Sequence, residues 1–385
     1  MLIKFLTKLK VLHINDSGLD SPRIVNAAMT GKKAGYEVYF CGASYSSSPQ
    51  SDIFAGQRQI TFTNKARLGR PVASFLNHWP WYPYPSEALR VSRQLSDVVD
   101  QIRPDLIHAH NIFAGHYASS FGIPMVLDDH ELYSVETKAQ YDKAKAPNTL
   151  IKSKIKVGRW EKYEKNLGER HPIITVSEKI ADHHRQYCKR VFVVPNYPLQ
   201  DAIKIKNFSK ATKTNMQSVY LGRDSIKNPT SFRDISHLHN IFSGNREVGN
   251  LARIGVKMPP ASKITCFGLI HMQEAYSIMQ RQCHIGLVPW RRHWFHEYCV
   301  PNKVYEYAHC GLWVITIDDI IPVIKDFGSL CDTFGNYSEL SDLLEYYNNQ
   351  PDELNEKRLL SLKHARKNLI WEKLEHRILE AYRIA

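Results

Sequence analysis

The sequence predicts an α/β protein made of two Rossmann-like domains, whose parallel sheets face a central cleft. Short apolar runs of strand length alternate with longer segments of helical period along the chain, which is typical of parallel sheets with crossover helices. The alternation pauses once, over the polar residues 197–216, so this stretch is expected to be a linker. A length of 385 residues suits two domains of ordinary size.

The first predicted domain covers residues 1–196. Its strands are expected at the apolar runs, and helices are expected between them, at 21–35 and 86–102. Gly35 and the sequence Arg-Pro-Asp at 103–105 mark where these two helices stop. The expected strands are 10–15 (KVLHIN), 37–42 (EVYFCG), 105–110 (DLIHAH), 123–130 (IPMVLDDH), 172–177 (PIITVS) and 190–196 (RVFVVPN).

The second predicted domain covers residues 217–365, where the alternation resumes. The segment 339–385 has the pattern of amphipathic helix. In open α/β sheets, ligands bind beyond the carboxyl ends of the strands, so a site is expected where two such sheets face each other. The apolar runs here are 218–222 (SVYLG), 239–244 (HNIFSG), 263–268 (KITCFG), 284–290 (HIGLVPW) and 312–317 (LWVITI).

Composition narrows the class of partner. The formal net charge of +13 favours polyanions, which include nucleic acid, anionic lipid headgroups and phosphorylated substrates. No basic recognition helix or aromatic-basic motif supports nucleic acid. The seven scattered cysteines include no C-x-x-C pair, so reduced thiols are expected rather than a zinc ribbon. No apolar run approaches the ~18 residues of a membrane span.

Two basic stretches could meet a membrane surface. The first ten residues (MLIKFLTKLK) lack the uninterrupted apolar core of a signal peptide. They predict either a strand entry with solubilising lysines or a weak interfacial anchor. Residues 143–159 contain no Asp or Glu, and they form either a solvated helix face or a surface for anionic lipid or a phosphorylated acceptor. The cations of this stretch are Lys143, Lys145, Lys152, Lys154, Lys156 and Arg159.

The sequence VPNKVYEYAHCGLWVI, ending at residue 315, predicts a short helix over 301–310 followed by a buried strand. Pro301 suits the first helical position and Gly311 the turn into the strand. Free N–H groups at the helix start, strengthened by Asn302 and Lys303, can bind an anion. Glu306, one turn further in, can accept hydrogen bonds from sugar hydroxyls. An ordinary capped helix with a surface glutamate is the alternative.

A second candidate is YLGRDSIKN at 220–228. Gly222 at the strand end allows a ligand to approach the backbone, and Arg223 and Lys227 can hold a diphosphate.

Polar clusters also follow two strands of the first half, and each could be structural or functional. They hold His108, His110, Asn111, Asp128, Asp129, His130 and Glu131. A His-rich metal site is one reading, but no H-E-x-x-H or comparable spacing supports it.

These motifs together resemble the GT-B glycosyltransferases, especially the large retaining family that uses nucleotide sugars (glycosyltransferase group 1, or family 4-like). VPNKVYEYAHCGLWVI resembles its donor-binding motif. The resemblance covers most of the chain, from HINDSG onward, and depends on the order of several motifs. The others are DLIHAHN, DDHEL, ITVSE, VVPN and YLGR with the lysine that follows.

The resemblance implies a role for each matched position. Arg223 and Lys227 would hold the donor diphosphate, and with His110, which would contact the transferred sugar, they form the catalytic set. Gly18 would line the cleft beside the donor, and the helix over 366–385 would return to the first domain. The other implied donor-binding residues are Gly222, Asn302, Lys303 and Glu306, with Asn111, His130 and Glu131 on the acceptor side.

The sequence departs from the family pattern in two places. Many relatives have a glutamate eight positions before the one matched by Glu306, where this chain has Tyr298; the nearest glutamate is Glu297. In those relatives the first glutamate touches the sugar, and here Tyr298 takes its position. Relatives often have a glycine pair where this chain has Gly18 alone.

The resulting hypothesis is a glycosyltransferase that moves a sugar from a UDP- or GDP-linked donor to a glycan or lipid-linked acceptor, with retention implied by the resemblance. The cations and the helix dipole can stabilise the leaving diphosphate, and no D-x-D triplet occurs, so neither a metal nor another cofactor is expected. The protein is expected in the cytoplasm, visiting the inner face of the membrane. A sugar-nucleotide epimerase and a non-catalytic binding protein of the same fold are the alternatives.

Overall fold

The computed structural model describes residues 8–19, 21–44, 52–60, 85–142, 146–205, 208–223, 232–244, 246–256 and 261–385. The chain divides into two compact units. The first unit comprises Met1–Pro195 and Leu374–Ala385, and the second comprises Asn196–Lys373.

The first unit contains a seven-stranded parallel sheet in the order β3-β2-β1-β4-β5-β6-β7. Its central strands β1, β4 and β5 are almost entirely buried, as expected of a parallel sheet covered by helices on both faces. The strands are β1 Lys10–Gly18, β2 Glu37–Ser44, β3 Gly56–Gln59, β4 Leu106–His110, β5 Met125–Asp128, β6 Ile173–Thr175 and β7 Val191–Val193.

The described helices of this unit connect the strands, and the last one returns from the end of the chain. That helix, α13, packs on the sheet through buried Ile378, Ala381 and Tyr382. The return begins at Leu374, whereas residues 366–373 belong to the second unit. The helices are α1 Pro22–Lys33, α2 Pro85–Ile102, α3 Asn111–Ala118, α4 Tyr133–Tyr141, α5 Pro147–Gly168, α6 Glu178–His184 and α13 Glu375–Ile384.

The second unit contains a six-stranded parallel sheet in the order β10-β9-β8-β11-β12-β13. The strands are β8 Gln217–Leu221, β9 Asn250–Ile254, β10 Ile264–Gly268, β11 Ile285–Val288, β12 Trp313–Ile317 and β13 Asp332–Phe334. The helices are α7 Leu238–Ser243, α8 Met272–Gln282, α9 Asn302–His309, α10 Ile321–Phe327, α11 Tyr337–Asn349 and α12 Pro351–Asn368.

Four of the five apolar runs in the second half are strands, but the run 239–244 is mostly helix α7. Leu238 and Phe242 are both fully buried and lie four residues apart, which is the spacing of a helix face. The strand at this place in the fold is β9. It was not predicted, because Asn250 and Arg253 interrupt its apolar residues. Strands β3 and β13 were also not anticipated.

The stretch 197–216, expected to be a linker, belongs to the second unit where it is described. The Ala211 N–H donates to the Asn355 side chain at 2.9 Å, and Met216 is buried. Arg358 is fully buried and donates to the backbone oxygens of Ser209 and Gly311, at 2.9 and 2.8 Å. These hydrogen bonds fix the stretch against α12, so it is a packed part of its unit.

Each sheet contains one point where the strand order reverses. In the first unit it lies between β1 and β4, and in the second between β8 and β11. A crevice opens beyond the carboxyl ends of the strands at such a point, and ligands of open α/β sheets bind there.

Candidate functional site

In the second unit, β8 and α9 are joined by a buried tyrosine. The N–H of Leu221, the last residue of β8, donates to the Tyr307 hydroxyl at 2.7 Å. Tyr307 packs against Gly286 of β11 so closely that a β-carbon there would lie 2.3 Å from the ring. The strand end at Gly222 and the helix that begins at Asn302 are therefore fixed to each other at the reversal point.

Lys303, in the first turn of α9, lies against two aromatic rings. Its Nζ is 4.1 Å from the ring centroid of Tyr220 and 5.4 Å from that of Trp290. The Trp290 indole N–H donates to the Tyr220 hydroxyl at 3.2 Å, which fixes one ring relative to the other. Attraction between the ammonium group and the two ring faces keeps this positive charge at the amino end of α9.

Helix α9 begins one residue later than the sequence indicated, at Asn302. Pro301 is its N-cap with an extended backbone, and no acidic side chain lies in its first turn. Asn302 is exposed at its start. The free N–H groups, the helix dipole and the Lys303 ammonium together form a positive region suited to a phosphate.

Glu306 lies one turn further along α9 and is half-buried. Its Oε1 accepts a hydrogen bond from the Tyr276 hydroxyl at 3.3 Å. Burial raises the pKa of the Glu306 carboxyl to about 7, although Tyr276 and Lys303 act in the opposite direction. A carboxylate in this position can accept hydrogen bonds from hydroxyl groups of a ligand.

The second motif is only partly described. Gly222 is half-buried directly after β8, and Arg223 is exposed beside it. Lys227 lies outside the described residues.

The first unit has a buried polar cluster at the carboxyl ends of β4 and β5, centred on Asp128. The Arg23 guanidinium donates to both oxygens of the Asp128 carboxylate at 2.7–2.9 Å and to the Val194 carbonyl oxygen at 2.7 Å. Burial alone would raise the pKa of the Asp128 carboxyl, but Arg23, His108 and His110 hold it well below its usual range.

Three imidazole rings fill the space beside this carboxylate. His13, His108 and His110 are fully buried and stacked, with interplanar angles of 13–30°. The His13 Nδ1 and the His110 Nε2 are 3.1 Å apart and share a hydrogen bond. Burial lowers the pKa of His13 well below its usual value and that of His110 to about 3, so both rings are neutral at pH 7.

Candidate ligand nitrogens of these three histidines all lie within 4.8 Å of one another, a spacing that a metal ion could bridge. Both nitrogens of His108 already have protein partners. The Tyr382 hydroxyl is 2.8 Å from Nδ1, and the Asp128 carboxylate is 3.4 Å from Nε2. Hydrogen bonding therefore explains the His108 ring without a metal.

The residues expected to contact sugar and acceptor differ in exposure. His110 is fully buried, so a sugar could reach its ring only if neighbouring side chains moved. Asn111 begins α3 with a φ of 71° and is buried. His130 is half-buried and Glu131 exposed in the loop after β5, and Gly18 ends β1. Burial lowers the pKa of His130 to about 4.

Several residues of these clusters were missed from the sequence. Arg23, Tyr276 and Trp290 belong to no motif with a recognised spacing, and His13 and Tyr220 begin the motifs HINDSG and YLGR but were given no role. The only available signal was the repetition of histidine near the ends of two strands, in VLHIN and LIHAH.

Comparison with known proteins identifies the fold. Residues 23–197 match the model of Glycosyltransferase Family 4. The sucrose-phosphate synthase of Thermosynechococcus elongatus superposes with a TM-score of 0.69 at 13% identity, covering 98% of this chain and 99% of that one. Anabaena HepE in complex with UDP-glucose gives a TM-score of 0.67 at 11% identity, covering 98% and 100%. A search among curated proteins finds no significant match.

A proposed UDP-N-acetylglucosamine 2-epimerase from Listeria monocytogenes is also similar, with a TM-score of 0.59 at 11% identity over 97% of this chain and 96% of that one. The resemblance to the GT-B glycosyltransferases is confirmed, and so is the α/β class with its two parallel sheets. These similarities support the interpretation of the chain as a transferase.

Proposed function

We propose that this chain, which has the GT-B glycosyltransferase fold and matches glycosyltransferase family 4 over residues 23–197, transfers a sugar from a nucleotide-sugar donor to a glycan or lipid-linked acceptor. The observation that carries the proposal is the positive region in the second unit. There the start of α9, Lys303 on its aromatic rings and Gly222–Arg223 lie at one reversal point of the sheet.

Each part of this region has a task in the proposed reaction. The α9 N–H groups, Lys303 and Arg223 stabilise the negative charge that grows on the departing nucleoside diphosphate. Glu306 accepts hydrogen bonds from the ribose hydroxyls of the donor. Because protein cations neutralise the phosphates, the proposed transfer needs no metal; retention of anomeric configuration is proposed from the family resemblance alone. HepE, similar in fold, was crystallised with UDP-glucose, which makes a UDP-linked sugar the first donor to test.

The acceptor is proposed to be lipid-linked, because the basic helix α5 also exposes apolar side chains. Leu150, Ile151 and Ile155 are 41–57% exposed on it, and Lys154 is exposed between them. Among the described residues, no helix is long and apolar enough to cross a bilayer. A surface of this kind suits reversible contact with an anionic membrane, where a lipid-linked acceptor resides.

The test is incubation of the protein with a panel of UDP- and GDP-linked sugars, with and without membrane lipid extract, and measurement of released nucleotide. Release of nucleoside diphosphate that depends on the lipid extract, together with sugar in the lipid fraction, is expected. The similarity to an epimerase makes epimerisation the second candidate. An epimerised nucleotide sugar, or its breakdown products, formed without any acceptor would favour it.

A further inference from the structure

A short 3₁₀ helix, Trp294–Tyr298, connects β11 to α9 at the carboxyl end of the sheet. At its centre, His296 is fully buried. Its ring lies against the Trp290 indole, with centroids 5.4 Å apart, and near the His293 ring at 6.0 Å. Through Trp290 the histidine is linked to the rings that hold Lys303.

Both nitrogens of the His296 ring face oxygen atoms that accept hydrogen bonds. Nδ1 lies 2.7 Å from Oδ1 of Asp319, and Nε2 faces the backbone carbonyl oxygen of Phe232. The ring is therefore held on one side by the Asp319 carboxylate and on the other by the Phe232 carbonyl oxygen.

Asp319 has a second role at this place. Its Oδ2 accepts a hydrogen bond at 2.8 Å from the backbone N–H of His293, which caps the 3₁₀ helix. The ion pair thus joins three separate segments: Phe232 in the chain after β8, the 3₁₀ helix, and the turn after β12. Removing either charge would leave the other buried or partly buried without its partner.

The 3₁₀ helix carries Glu297, which is exposed, and Tyr298, which is half-buried. These are the two positions at which the chain departs from the family pattern at the sugar contact. We propose that the His296–Asp319 ion pair is a positioning pair, which holds Glu297 and Tyr298 in place for the sugar of the donor. This inference rests on the proposed function and assigns to the pair a part in sugar recognition rather than in nucleotide binding.

The neighbouring aspartate provides a matched control. Asp318 pairs with Arg292 at the surface, with 2.8 Å between the Arg292 Nε and Oδ1, and the Arg292 side chain is 59% exposed. It fixes no buried charge. Asp319→Asn and Asp318→Asn are therefore the same chemical change at adjacent positions. Asp319 contacts His296 and the backbone N–H of His293, whereas Asp318 pairs with Arg292 at the surface.

Calorimetric titration of both variants with UDP-glucose and UDP, and with GDP-mannose and GDP, tests the proposal. In Asp319→Asn, affinity for the sugar nucleotide that the wild type binds should fall roughly tenfold relative to the corresponding diphosphate, the size of one charge-assisted hydrogen bond. Diphosphate affinity should stay within about twofold, and Asp318→Asn should change neither. An equal loss for both ligands, or no loss for either, would overturn the positioning role.

Failure of the proposed function gives a different result. If the wild-type protein binds neither nucleotide sugar nor nucleoside diphosphate, the donor site itself is wrong, and the positioning role falls with it. If the wild type binds the donor and Asp319→Asn leaves the ratio of sugar-nucleotide affinity to diphosphate affinity unchanged, only the positioning role is overturned.

Discussion

Glu306 is the residue whose environment gives the sharpest test of the donor site. It is half-buried at the positive end of α9, accepts a hydrogen bond from Tyr276, and has a pKa raised by burial to about 7. The proton that it holds below pH 7 removes a hydrogen-bond acceptor from the carboxyl group. Donor affinity should therefore depend on pH around this value.

Glu306→Gln should weaken nucleotide-sugar binding by about 1.5–3 kcal/mol at pH 8, where the wild-type carboxylate is ionised and makes charge-assisted hydrogen bonds. The loss should shrink at pH 5.5, because the wild-type group is then protonated. Burial makes ionisation of Glu306 unfavourable in the folded state, so the wild type loses stability as the pH rises above the pKa of glutamate in the unfolded chain. Glu306→Gln removes this cost, and the variant should unfold no more easily than the wild type at pH 8. Calorimetry at both pH values measures the affinities.

The exposed Glu274 of α8 supplies the control for this experiment. Glu274→Gln removes one charge from the same unit and should leave the affinity unchanged. Unchanged affinity in Glu306→Gln at pH 8 would return α9 to the alternative of an ordinary capped helix and would count against the proposed function.

Gly311 is the second residue whose role follows from geometry. It ends the turn between α9 and β12 with a φ of +77°, and an added β-carbon would lie 2.1 Å from the Phe208 ring. That ring is held beneath the Arg358 guanidinium, 4.2 Å from the ring centroid, so it cannot move away freely. Backbone conformation and packing both require glycine here.

Gly311→Ala should therefore lower the free energy of unfolding by more than about 2 kcal/mol, through strain and overpacking together. Gly122→Ala isolates the first effect, because Gly122 is left-handed with a φ of +68° and nothing lies within 4 Å of the new β-carbon. That control should cost about 1 kcal/mol. Urea unfolding measures both, and equal losses would show that the contact with Phe208 adds nothing.

At the scale of elements, α5 has two faces with different tasks. Its buried stripe recurs every three or four residues and includes Val157, Trp160 and Leu167. Its outer face exposes Ile151 and Ile155 among lysines, although Lys143 and Lys145 lie outside the described residues. Packing explains the first face, whereas membrane contact is the proposed explanation of the second.

Ile151→Glu should reduce binding to vesicles that contain phosphatidylglycerol by about tenfold or more, because burial of one such side chain contributes about 1.5–3 kcal/mol. Binding should also weaken as salt rises, since the lysines are attracted to anionic lipid. The matched control is Leu360→Glu on α12, where the leucine is 57% exposed, and it should bind as the wild type does. Equal binding to neutral and anionic vesicles would contradict the proposal.

At the scale of the whole molecule, buried histidines make stability depend on pH. Burial lowers the pKa of His13 well below its usual value, that of His110 to about 3 and that of His130 to about 4. Once unfolded, these groups take up protons below about pH 6.5, the ordinary value for histidine. Their neutral, folded form is thus fully favoured above pH 6.5 and increasingly disfavoured as pH falls toward 4.

The urea midpoint should accordingly fall between pH 7 and pH 4.5, and His130→Asn should reduce this fall because it removes one contributor. His376→Asn, at an exposed position on α13, should leave the pH dependence unaltered. A midpoint that is constant over this range would contradict the assignment of these rings as buried and neutral.

The proposed chemistry also predicts how the enzyme responds to chelators. Because helix N–H groups, Lys303 and Arg223 are assigned to the phosphates, transfer should survive EDTA. A rate loss of more than ~100-fold, equivalent to ~2.7 kcal/mol of barrier and restored by Mg²⁺ or Mn²⁺, would contradict this assignment.

Local sequence patterns were enough to predict the fold class, most of the strands, and helix α9 to within one residue of its start. Val-Ile-rich runs, helical periods and Gly or Pro at the boundaries act within short windows, so they can be recognised without tertiary contacts. The same local signals misled at residues 239–244, where a short apolar run fits either a strand or a helix. In the folded chain, tertiary packing makes most of this run part of helix α7 and makes the more polar segment Asn250–Ile254 a strand.

The partners of the charged groups, in contrast, depend on contacts between residues that are distant in the sequence. Arg23 meets Asp128 105 residues away, and His13 meets His110 97 residues away, because β1 lies beside β4 in the sheet. His296 likewise meets Asp319 only because the loops after β11 and β12 leave neighbouring strands. Strand order is set by packing of the whole sheet, and no local pattern in the sequence specifies which distant side chains it brings together.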